Sequence, residues 1–175
     1  MLTKKIEKAL NEQIALEGYA SFLYLAMASW CDQEGYEGSI EFMMRQSEEE
    51  MVHMKKIYNY ILEMDGKAIV PGFKQPPANF KSLPAMFKKV YEHEKKVTHS
   101  INDLVALSNK ENDHTTFNFL QWYVEEQREE EALMRLIQDR IKLIGSGPQS
   151  LYYIDKEVQG INAKEMAKEQ AEEGE

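Results

Sequence analysis

Residues 40–61 read IEFMMRQSEEEMVHMKKIYNYI. Ile40, Met43, Ser47, Glu50, Met54, Ile57 and Ile61 follow one another in alternating steps of 3 and 4. Such steps trace the inner seam of a helix in a left-handed bundle. A carboxylate stands in the middle of that seam, and His53 follows it one turn later. The same steps join Leu10, Gln13, Glu17, Ala20, Tyr24, Met27 and Cys31 upstream. Downstream they join Leu83, Phe87, Val90, Glu94, Val97, Ile101 and Leu104. A last seam holds Leu120, Tyr123, Gln127, Glu130, Met134, Ile137, Ile141 and Ile144. Four seams predict an all-α four-helix bundle, with helices over about 4–33, 37–64, 83–111 and 114–144.

Punctuation between the seams fixes the connections. Gly35 and Gly38 bracket the first turn, and Asn112-Asp113 offers a cap for helix four. Ser82 followed by Pro84 is a helix start with proline in the first turn. Gly145-Ser146-Gly147-Pro148 ends helix four and opens a short fifth helix at about 148–158. From Asn162 the chain is charged and poor in large apolar residues, so it is expected to fray. The segment from Asp65 to Ser82 contains Gly66, Pro71, Gly72, Pro76 and Pro77. Extended at about 3.3 Å per residue, its 18 residues reach about 60 Å. A helix of 28 residues is only about 42 Å long. The segment is therefore read as a crossover that makes helices two and three parallel. No run reads as an alternating strand.

Composition excludes several function classes. The chain has 175 residues and a net charge of −9, enough length for one domain with a substantial core. Acidity argues against nucleic acid, whose phosphates demand a basic face, and against anionic membranes. The single Cys31 excludes an internal disulfide framework and a cysteine-rich metal knuckle. The first residues lack the apolar stretch of a signal peptide. The most apolar window, 22–28, is shorter than the roughly 18 residues of a membrane span. The expectation is a soluble cytoplasmic protein with neither nucleic-acid nor membrane partners.

The seam glutamates carry the chemistry. Glu17, Glu50, Glu94 and Glu130 each stand near mid-helix, and antiparallel pairing sets each pair within a turn. A buried carboxylate costs several kcal/mol unless compensated, and four together repel one another. The seams place no Lys or Arg near that level. Two divalent cations would neutralise the four. Glu50-Met51-Val52-His53 sets a carboxylate and an imidazole on one helical face. Carboxylate oxygen with imidazole suits iron or manganese better than the thiolate-rich sites of structural zinc. Bundle cores with inward carboxylates and Glu-x-x-His pairs are known dinuclear metal sites.

These motifs resemble the bacterial non-haem ferritins over roughly residues 1–160. The resemblance rests on Glu17 with Tyr24, the Glu49-Glu50-Met51-x-His53 run, Glu94, and Glu126-Gln127-x-Glu129-Glu130. Residues 117–123, FNFLQWY, add to it. It implies a ferritin-like di-iron domain over 1–160, with a long crossover and a short fifth helix, and a flexible tail over 161–175. It implies assembly into a hollow shell of 24 subunits. The implied activity is a ferroxidase: Fe(II) is oxidised by dioxygen or hydrogen peroxide and stored as ferric oxide mineral. Glu17, Glu50 and His53 would hold one iron; Glu94 and Glu130 would hold a second, with Glu50 bridging and Gln127 beside it. Glu49, Glu126 and Glu129, with Glu130 shared, match a third iron position. Tyr24 would lie beside the pair as a hydrogen-bond donor or electron source; its plain alternative is an ordinary core tyrosine.

Departures from neighbouring families matter too. Bacterioferritins repeat Glu-x-x-His on helix four, whereas this chain has Gln127-Arg128-Glu129-Glu130. Met51 stands where bacterioferritins hold haem but reads as a packing methionine, so haem is not expected. Phe117 and Leu120 stand where animal ferritins carry acidic channel residues, which leaves access through the subunit wall as open as a channel route. His93, His99 and His114 match no ligand role. The alternatives are a non-catalytic iron-storage shell and a metal-free helical interaction module. Charge sharpens the choice. The seven candidate ligand glutamates carry −7 and the tail from Asn162 carries −3, which leaves the remainder at +1.

Overall fold

Local caps start the helices where the sequence places them. The Thr3 hydroxyl accepts from the Ile6 amide at 3.3 Å and opens α1 (Lys4–Glu34). Gly35, at φ +80°, ends it in the left-handed region that side chains disfavour. Ser82 accepts from the Ala85 amide ahead of α3 (Leu83–Lys110), with Pro84 in the first turn. Asp113 accepts from the Thr116 amide and hydroxyl to cap α4 (His114–Ile144). The start of α2 (Glu37–Glu63) differs, because Tyr36 supplies no side-chain cap. Asp155 of α5 (Ser150–Glu173) supplies it instead, accepting from the amides of Gly38 and Ser39 at 3.0 and 2.8 Å. This computed structural model describes residues 2–173, without the side chains of Glu169, Glu172 and Glu173. All its elements are helices, and among the described residues none is long and apolar enough to cross a membrane.

The topology follows from which helix halves share a core. One apolar cluster gathers Ala20 to Cys31 of α1, Phe42 and Met43 of α2, Leu83 to Val90 of α3, and Met134 and Ile137 of α4. The other gathers Ile6 to Ile14, Ile57 to Ile61, Val97 to Leu104, and Leu120 with Tyr123. The starts of α2 and α3 thus meet at one end, so these helices run parallel. The connecting segment 64–82 travels the bundle along α1. Asn11 holds it near its beginning, donating to the Lys67 carbonyl and accepting from the Ile69 amide. Phe73 sits over Gly18, where an added Cβ would come within 2.5 Å of the ring, and packs at a tilt against Phe22. Phe80 meets Trp30 at the far end.

The fifth helix corrects the sequence reading. It continues to Glu173 instead of ending near 158, so residues expected to fray are helical; Gly174 and Glu175 lie outside the described residues. Ile154, Val158 and Ile161 continue the 4 and 3 spacing and are buried in the first cluster. Beyond them the helix is fastened by polar pairs. Arg45 Nε donates to Asn162 Oδ1 at 2.8 Å, and Lys168 Nζ lies 2.5 Å from Glu129. The helix runs along the α2/α4 groove, which a reading of one chain segment at a time does not reveal.

Candidate metal centre

A polar layer separates the two apolar clusters. Glu17, Glu50, Glu94 and Glu130 all lie in it with 5% exposure or less, and His53 and Gln127 join them. Among the described residues, the side chains that donate hydrogen bonds to these carboxylates are neutral. Gln13 donates to Glu17 at 2.8 Å, and Tyr24 and Gln127 donate to Glu94. Gln46 donates to Glu130 at 3.3 Å. One oxygen on each of Glu17, Glu50 and Glu130 is buried without a hydrogen-bond partner. Oxygens left this way carry a large desolvation cost, which a bound cation or a proton removes.

Two groups of ligand atoms form around His53. Glu17, Glu50 and His53 bring one atom each to within 4.8 Å of one another. Glu49, His53 and Glu126 do the same nearer the surface. His53 Nδ1 lies 3.6 Å from Glu50 and Nε2 lies 3.9 Å from Glu126, so the imidazole faces both groups. Trp122 and Tyr123 pack edge-on against the imidazole, and Tyr123 also donates to the His53 main-chain carbonyl at 2.8 Å. Glu94 and Glu130 share the layer but turn to their own donors.

Electrostatics agree with the geometry. Burial pushes the Glu50 carboxyl well above the usual range, and Glu94 and Glu17 add repulsion. Burial likewise raises Glu130, with Glu49 and Glu94 reinforcing it. Glu94 is pushed up to about 8 by burial, against the opposing hydrogen bond from Tyr24. Glu126 is raised by burial and by Glu49 and Glu129. Protein alone thus leaves this layer short of positive charge.

Known proteins resemble this chain over most of its length. The Ferritin-like domain family model matches residues 7–144. The chain belongs to the ferritin family. A bacterial non-heme ferritin of Campylobacter jejuni is 48% identical over 161 residues, covering 92% of this chain and 96% of its own length. A probable bacterial non-heme ferritin-like protein of Haemophilus influenzae is 43% identical over 164 residues, covering 94% and 99%. The crystal structure of an open pore ferritin from the archaeon Archaeoglobus fulgidus superposes with a TM-score of 0.87 at 40% identity, covering 91% of this chain and 98% of that one.

In this ferritin several supporting residues escaped the sequence reading. Gln46 joins the inner and outer carboxylates, donating to Glu49 at 2.8 Å as well as to Glu130. Ser100 donates to Gln13, which then holds Glu17; Thr98 donates to Gln127, which then holds Glu94. Gln13 sits in a seam and Gln46 stands one turn before Glu50, so spacing offered a signal, but a glutamine in a seam reads equally as packing. Glu129 is placed away from the His53 group, paired with Lys168 and Arg128. His99 and His114 are exposed, and His93 is half-buried against Tyr19 and Tyr24.

Proposed function

We propose that the protein stores iron and oxidises it on the way in. The observation that carries this reading is the layer of four buried carboxylates, which among the described residues take their hydrogen bonds from the neutral side chains of Gln13, Tyr24, Gln46 and Gln127. Ferrous iron is the substrate. Glu17, Glu50 and His53 hold one ion, Glu94 and Glu130 hold a second, and Glu50 stands between them. Gln127 and Tyr24 fix Glu94 from two sides. Two ferrous ions give up one electron each, and dioxygen or hydrogen peroxide takes the two electrons. The carboxylates favour the ferric product because each added positive charge gains more from four anions than the ferrous state does. Tyr24, donating to Glu94, is also placed to supply an electron.

Glu49, Glu126 and Glu129, with Glu130, form a third position on the way to the surface. The product leaves by that side into the cavity of a cytoplasmic homo-oligomeric shell of 24 subunits. Residues 1–160 form the di-iron domain.

Aerobic addition of ferrous iron to the purified protein tests the activity. Rapid oxygen consumption above buffer is expected, from a particle far larger than the 20.4 kDa chain. Glu94→Ala and Glu130→Ala should each slow paired oxidation by about 100-fold or more while the shell still assembles. Wild-type rates in both variants would remove the assignment. Glu49→Ala or Glu126→Ala should change the iron stoichiometry at the third position.

A further inference from the structure

The C-terminal part of α5 brings positive charge to the mouth of the acidic layer. Beneath it is a cavity of about 90 Å³ lined by Glu49, Glu126, Glu129, Glu130, Glu165 and Lys168. Lys168 Nζ lies 2.5 Å from Glu129 Oε2. Arg45 borders the same cavity, donates to Glu49 at 3.1 Å, and is tied to α5 through Asn162. Both cations are therefore linked to one helix. The two differ in exposure to solvent. The Arg45 side chain is 14% exposed, whereas Lys168 and Glu129 are each nearly half exposed. An ion pair that exposed is weak, so a divalent cation competes with it readily. A lysine also carries its charge on a flexible four-carbon stem.

We infer that Lys168 is a tethered counter-cation that occupies Glu129 in the metal-free protein and is displaced when a divalent ion enters the Glu49–Glu126–Glu129 position. This rests on the third position proposed above. The step is an exchange of one cation for another, with no bond or electron transferred. Its consequence is a position that accepts iron but does not retain it. When the ion moves on toward the cavity, the ammonium returns and neutralises the carboxylate it left. Affinity at the third position is thereby set below that of the buried pair, which favours onward transfer.

The test uses the assembled full-length protein and Co(II), which binds oxygen and nitrogen ligands without being oxidised by the site. Metal stoichiometry and affinity per subunit are read by calorimetry and by the cobalt visible spectrum. Lys168→Met keeps the stem and removes the charge; Lys168→Arg keeps the charge. The methionine variant should bind the outermost Co(II) about three- to tenfold more tightly, with the gain shrinking as salt rises. The arginine variant should behave as wild type, and the two inner ions should bind equally in all three. Three ions per subunit with unchanged outer affinity in Lys168→Met overturns this inference alone. Two ions in wild type and still two in Lys168→Met overturns the inference and the third position together. Loss of only the outermost ion in Glu126→Gln confirms which position the variant reports.

Discussion

Glu94 has its carboxyl pushed up to about 8, chiefly by burial, with the Tyr24 hydrogen bond opposing and Glu17 adding repulsion. The unfolded chain ionises the same group near its ordinary value of 4.5. Between pH 4.5 and about 8 the native metal-free protein therefore holds a proton that the unfolded chain has released. The stability due to this group is fully present below that window and is lost as pH rises through it. Glu94→Gln keeps the shape and removes the titration. The melting temperature of the metal-free wild type should fall relative to Glu94→Gln across this window, by about 3 °C for each kcal/mol in a chain of this size. Melting curves that stay parallel across the window would show that Glu94 is not titrating as its burial demands. A divalent cation should reverse the trend in wild type, because it binds the ionised form.

At the scale of elements, α2 depends on α5 for its beginning. Asp155 accepts three hydrogen bonds, from the amides of Gly38 and Ser39 and from the Ser39 hydroxyl, and is itself buried. Gly38 lies so close to α5 that an added Cβ would come within 2.5 Å of the Asp155 carbonyl oxygen. Asp155→Ala leaves the first turn of α2 without its cap and should cost about 2–4 kcal/mol. Calorimetric melting reads the loss, and hydrogen exchange should localise it to residues 38–40 and to α5. Protection unchanged there would mean that the helices dock without the cap. The sequence showed the four long helices clearly because each repeats a seam over many turns and ends in Gly, Pro or a capping residue. It showed the inner carboxylates for the same reason, since Glu17, Glu50, Glu94 and Glu130 are the charged residues in seams that are otherwise mainly apolar. It understated α5, whose apolar spacing stops at Ile161. The later residues are held by pairs such as Lys168 with Glu129, which join positions 39 apart in sequence. Gln46 was ambiguous for a related reason, because its value lies in reaching Glu49 on its own helix and Glu130 on α4 at once.

The whole molecule is two apolar cores joined by a layer that works against folding. The cores hold the four helices at both ends, and the crossover binds α1 along its length through Asn11, Gly18 and Trp30. The bundle therefore tolerates a costly middle, and the cost is present whenever no metal is bound. Replacing buried charges by apolar groups of similar size commonly stabilises a fold by about 1–4 kcal/mol. Glu50 and Glu130 are the best positions to try, since each has a buried oxygen without a partner. Gln46 would keep Glu49 as its partner when Glu130 is gone. The double variant Glu50→Met with Glu130→Met should melt about 3–10 °C above metal-free wild type at neutral pH. Saturating Co(II) should raise the melting temperature of wild type but leave that of the variant nearly unchanged. Ferrous oxidation should be lost in the variant. A metal-free variant that melts below wild type would mean that these carboxylates serve the fold; one that melts above it assigns their retention to the metal.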